Sequence, residues 1–239
     1  MKMMSEEEIK KIVDNISVPR IETYESLGFV GRDENLLAAY FSIQEISSHF
    51  FVPLQVLEIC LRNSIHNALD NLFSDHCNSI KWYNLVHLSN ESKKTLRQAK
   101  SNTIKKCGGN YSDDDLVSNL MFGFWVYMLD TQHRDYSNEY HFWQYKLDEI
   151  FPGRNGKKVK EIFDELKRIN RNRNRLYHHE PIWKGKKQKT YHEAISVLEV
   201  EYRKIYEALG WIAQEKKGYM ERLGFFQRFM DCCEKHRHA

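Results

Sequence analysis

"PLQVLEICLRNSIHNALDNLF", residues 53–73, decides how the chain folds. Leu54, Leu57, Leu61, Ile65, Ala68 and Leu72 recur at steps of three, four and seven, which lays them along one stripe of a helix. Pro53 suits the first turn, where its missing N–H has no intrahelical partner to lose. A strand would show strict alternation, and no segment of the chain does. The Asn155-Gly156 pair precedes a helical pattern instead of joining two β-branched runs.

The same reading extends in both directions. Ser5 to Val13 is a short helix opened by a capping box, Ser5 with Glu8. Pro19 to Arg32 reads as a connection. Asp33 to Phe51 carries Leu36, Leu37, Tyr40, Phe41, Ile43 and Ile46 at helical spacing. Asn90 to Cys107 is a mostly polar helix stopped by Gly108-Gly109. "LVSNLMFGFWVYML", Leu116 to Leu129, is uncharged over 14 residues, too short for a bilayer, and reads as one buried helix behind a Ser/Asp cap. Asn138 to Phe151 and the amphipathic Asn155 to His179 follow. A basic loop spans Lys184 to Thr190, and the helices Tyr191 to Ile212 and Tyr219 to Cys232 close the chain. The expected fold is all-α: one domain over residues 1–239 with about seven to nine helices.

Composition agrees. The 239 residues are 41% hydrophobic and 29% charged with only 4 Pro, which excludes a disordered or fibrous chain and favours helix. "MKMMSEEEIKK" has no apolar stretch of signal-peptide length, so a cytoplasmic location without membrane association is expected. Five cysteines without CxxC spacing argue against a disulfide framework or a zinc knuckle. "CCEKHRH", residues 232–238, has no second ligand pair at suitable spacing and reads as a polar tail, so neither a metal site nor a cofactor is expected.

Charge is unevenly spread. Residues 154–189 hold 13 Lys/Arg against 4 Asp/Glu, a local balance of +9 in a chain whose net charge is +3. Such a segment is either a solvated helix face or a binding surface for a polyanion.

Within it lies "RNRNRLYHHEP", Arg171 to Pro181. Pro181 disfavours helix at the preceding residue, so the helix ends near His179 or Glu180 with both histidines in its last turn. RNA cleavage without a metal needs a base for the 2′-OH, an acid for the leaving 5′ oxygen and a cation for the phosphorane. Imidazole serves either proton step, with a reference pKa of about 6.5, and guanidinium presents a fork to phosphate oxygens. Asn174 and His178 share a helix face, whereas Arg173 and His178 stand about 140° apart at 100° per residue. A bent last turn, or a second copy of the helix, would bring them together, and the second route predicts a homodimer. The bland alternative for His178 is a surface histidine favoured by the helix dipole. Arg62, Asn63 and His66 form a second Arg-Asn-x-x-His, read either as a polar network between helices, paired through Glu58, or as a lining of the same cleft.

Three segments carry a family resemblance. "RNRLYHHEPIW" from Arg173 contains the R-x(4–6)-H signature of HEPN ribonucleases and resembles the motif of Abi-like abortive-infection proteins. "LEICLRNSIHNAL" (57–69) is similar to that family's E-x-x-L-R-N helix, and "DDLVSNLMFGFW" (114–125) to its D-D-L-V…F-G-F-W segment. The matches keep family order and span about Leu57 to Trp183, over half the chain. The resemblance implies a HEPN-type helical bundle over roughly residues 33–212, with additional N- and C-terminal helices. It implies metal-independent endoribonuclease activity in phage defence, homodimerisation and control by a structured small RNA acting as antitoxin or guide.

Carried over, Arg173, Asn174 and His178 are the catalytic set, with His179, Glu180, Glu58, Arg62 and Asn63 in support. Arg171, Arg175, Lys184, Lys186 and Lys187 are expected to contact RNA. Glu180 stands where one HEPN subtype has a tyrosine that accepts a nucleotide, so that regulatory scheme is not expected here. A non-catalytic RNA-binding regulator using residues 154–189 is the alternative.

Overall fold

The computed structural model describes residues 4–29, 31, 33–74, 81–134, 141–185 and 187–238. Every regular element among them is helical. In chain order these are α1 (Glu6–Ile16), α2 (Val18–Glu25), α3 (Glu34–Ser48), α4 (Phe51–Ser74), α5 (Trp82–Leu85), α6 (Asn90–Cys107), α7 (Asp113–Ser118), α8 (Phe122–Tyr127), α9 (Trp143–Ile150), α10 (Val159–Tyr177), α11 (Tyr191–Ile212), α12 (Gln214–Arg222) and α13 (Phe225–Arg237), with a 3-10 turn at Thr131–His133. The fold is all-α, and no helix among the described residues is long and apolar enough to cross a membrane.

Local chemistry sets most boundaries. Ser5 and Glu8 make the reciprocal capping box at α1, and Asp33 caps α3 by accepting from the Leu36 N–H at 2.9 Å. Gly108, at φ 78°, ends α6.

Four expectations are corrected. Residues 18–25 form α2 instead of a connection, because Pro19 falls in the first turn, where proline is tolerated. The apolar stretch after Ser112 is two short helices. The break falls at Met121, whose backbone is extended (φ −73°, ψ 162°), after Asn119 has capped α7, its side-chain amide donating to Thr103 Oγ1 (3.0 Å) and the Asp115 carbonyl (2.8 Å). The Trp125 indole then takes the Leu120 carbonyl at 3.2 Å. The long amphipathic helix starts at Val159, not Asn155, because Asn155 (φ 50°) and Gly156 (φ 78°) are both left-handed. The C-terminal helix runs to Arg237 and is separated from α12 by Gly224 at φ 76°, so the supposed polar tail is helical and partly buried. These splits raise the helix number above the seven to nine expected. Of the Asn138–Phe151 expectation, residues 138–140 lie outside the described residues.

The chain divides into two compact units, one of Met1–Pro53, Asn174–Arg203 and Tyr219–Ala239, the other of Leu54–Arg173 and Lys204–Gly218. In the second, the α4 stripe is fully buried at Leu57, Leu61, Ile65 and Leu69, together with Trp82, Trp125 and Trp143. The indole N–H groups of these three tryptophans are satisfied. Trp82 donates to His66 Nδ1 (2.9 Å), Trp125 to the Leu120 carbonyl and Trp143 to the Met128 carbonyl (2.8 Å). An unpaired N–H would cost about 1–3 kcal/mol. Gly153 is sterically required, since a Cβ there would run into the Gly210 carbonyl. In the first unit, Tyr202 stacks on Phe229 at 3.7 Å with Phe50 edge-on to both.

Candidate functional site

The histidine pair sits at the end of α10, on a turn its sequence does not favour. α10 stops at Tyr177 and His178 is the C-cap residue, its N–H shared between the Asn174 and Arg175 carbonyls at 3.1 Å each. His179 has φ 57°, in the left-handed region. The His179 N–H donates to the Leu176 carbonyl (2.9 Å) and the Glu180 N–H to the Arg175 carbonyl (2.8 Å). This pair of bonds is the Schellman arrangement, whose left-handed position glycine usually fills. The expectation that both histidines lie inside the last helical turn is thus corrected: one caps the helix and the other lies past it. Pro181 follows as predicted, and Ile182 and Trp183 bury beyond it, Trp183 packing edge-on against Tyr24 at 5.5 Å. The imidazoles are exposed while the segments on both sides are anchored.

Arg175 closes this turn. It is half-buried, 3.6 Å from the Glu180 carboxylate, and donates to the Lys184 carbonyl at 3.4 Å. Asn174, Arg171, Lys184 and Lys187 are exposed, and Lys186 lies outside the described residues. Two aromatic side chains that the sequence did not single out belong here. Phe51 and Tyr177 are 52% and 43% exposed, with ring centroids 6.1 Å apart. The signal for Tyr177 was its place inside the motif. Phe51 had none, because its neighbour comes from a distant segment.

In the second unit, Glu58 gathers residues from all three motif segments. One carboxylate oxygen accepts from the Phe122 N–H at 2.9 Å, capping α8, and the other accepts from Arg173 at 3.3 Å. Side-chain exposures of 19% for Arg173 and 23% for Glu58 place the pair in a half-buried setting, where a charged hydrogen bond is worth more than at the surface. The sequence had paired Glu58 with its own-helix neighbour Arg62. Instead Arg62 donates to Asn63 Oδ1 at 3.0 Å, and His66 accepts the Trp82 indole N–H, so its Nδ1 carries the lone pair. Gly123 makes no tight approach: a Cβ there would meet the Asn170 side chain at an ordinary 3.4 Å.

No protein-family model matches the chain, and neither a curated protein nor a solved structure matches it. What the site does therefore rests on its own geometry and on the motif resemblance.

Proposed function

We propose that the protein is a metal-independent endoribonuclease of the HEPN, Abi-like class, acting in phage defence. The observation that carries this reading is the exposed His178-His179 pair, held on a left-handed turn where glycine would be less strained. Strain at a polar, exposed turn is a reason to look for function there. His178 is the general acid/base and Asn174, one turn upstream, orients it. Arg171 and the lysines of the following loop attract the phosphate backbone, and Phe51 with Tyr177 offers faces on which unpaired bases stack. Arg173 stabilises the phosphorane and is itself fixed by Glu58. A homodimer with the two motifs facing, under control of a structured small RNA, completes the reading.

The test is cleavage of RNA without added magnesium or manganese. Wild type is expected to leave 2′,3′-cyclic phosphate and 5′-OH ends, because the 2′-OH is the nucleophile. His178→Ala should fold normally and lose about 10²–10⁴-fold in rate, the usual contribution of general acid–base catalysis. Equal cleavage by the two proteins would sink the assignment.

One observation favours a second reading. With Glu58 holding the Arg173 guanidinium, the cation that should serve the phosphorane already has an anionic partner. A protein that binds RNA through residues 154–189 without cutting it needs no such cation. Salt-dependent binding with intact RNA after long incubation would support this reading over the first.

A further inference from the structure

The C-terminal helix brings a thiol and an imidazole against a carboxylate from α3, within the first unit. Cys232 and His236 are one turn apart on α13 and buried, and α13 packs on α3. His236 Nε2 lies 2.7 Å from Glu45 Oε2. One ligand atom each of Glu45, Cys232 and His236 lies within 4.8 Å of the other two. Tetrahedral zinc, with bonds of ~2.3 Å to sulfur and ~2.0–2.1 Å to nitrogen or oxygen, sets its ligand atoms roughly 3.3–3.6 Å apart. Binding opens the 2.7 Å Glu45–His236 contact and draws any wider separation in the group, none above 4.8 Å, into that range.

We propose that Glu45, Cys232 and His236 bind a zinc-class divalent cation that ties α13 to α3. The donor set selects the metal. A thiolate with an imidazole disfavours magnesium and calcium and suits zinc. Charge agrees, since one thiolate, one carboxylate and a neutral imidazole balance a dication in a partly buried place. Binding releases the thiol proton to solvent and uses the Nδ1–H tautomer of His236, so that Nε2 donates its lone pair. Water fills the fourth position. Lys235 competes: its ammonium lies 3.1 and 3.2 Å from the two Glu45 oxygens, on a side chain 62% exposed and able to swing away. Without a metal these contacts form an ordinary interhelical ion-pair network, and the experiment must separate the two.

The full-length protein is titrated with cobalt(II), then zinc(II), and followed by absorption and calorimetry. Wild type should bind one cobalt(II) with a thiolate charge-transfer band and visible bands of four-coordination, both bleached by one equivalent of zinc(II). Cys232→Ser should lose the charge-transfer band and weaken zinc binding at least ~10-fold, since even an outer-sphere partner of a metal is worth that much. Cys233→Ser is the control: that thiol is buried but is not one of the three side chains that come together at Glu45, and the band should remain. Lys235→Gln should tighten zinc binding, which a plain ion-pair network would not do. If Cys232→Ser fails to fold, His236→Gln, which keeps a hydrogen-bonding group against Glu45, serves in its place. A folded wild type that binds no cobalt(II), or a band that survives Cys232→Ser, overturns the proposal.

Discussion

His179→Gly is the most direct test of the strained cap. The histidine occupies φ 57°, where a Cβ crowds the following carbonyl at a cost of about 1–2 kcal/mol. Glycine removes that cost but adds about 0.5–1 kcal/mol of unfolded-chain entropy. The two cap hydrogen bonds, His179 N–H to Leu176 and Glu180 N–H to Arg175, are backbone bonds and survive the change. The imidazole is exposed, so little packing is lost. The expected net effect is a gain of about 0.5–1 kcal/mol. Urea unfolding should show it as a midpoint higher by about 0.2–0.3 M for a slope near 3 kcal/mol/M. His179→Ala keeps a Cβ and should show no such gain. If the imidazole takes part in RNA chemistry, His179→Gly becomes more stable and less active together, the usual signature of a site that trades stability for function. A glycine variant no more stable than wild type, or an alanine variant as stable as the glycine one, would refute the strain argument.

Two further predictions follow from buried polar groups. His133 is buried, accepts the Ser89 N–H at 3.2 Å, and is pushed down to about 4, chiefly by desolvation. Between that value and the unfolded reference near 6.5, the unfolded chain binds a proton that the folded one refuses, so stability falls as pH drops through this window. The loss is about 2 kcal/mol at pH 5. His133→Gln, which keeps an acceptor and cannot titrate, should flatten that part of the denaturation–pH curve, and an unchanged slope would be the contrary result. Glu58→Ala removes both the α8 cap and the partner of Arg173, and should cost about 2 kcal/mol in denaturant unfolding, against about 1 for Glu58→Gln. Full stability of the alanine variant would mean that α8 begins without its help.

The candidate site was legible in part. "RNRNRLYHHEP" showed a basic helix ended by proline, and the helix end is found within two residues of its predicted place. That His179 would be left-handed was not legible, because the residue is not a glycine. The residues that anchor the chain beyond the turn, Ile182 and Trp183, bury against partners distant in sequence, as Trp183 does on Tyr24.

Sequence by itself determined the all-α class, the main apolar stripes and several of the caps. These depend on residues three or four apart, so periodicity and capping pairs such as Ser5 with Glu8 are written in adjacent letters. Tertiary structure alone decided which side chains meet. Glu58 caps a residue 64 positions away and holds Arg173 at 115, and His236 reaches Glu45 at 191. A single chain carries no local signal for such separations. The partner is chosen by how the buried stripes pack, and that packing turned an apparent polar tail into a Glu-Cys-His cluster.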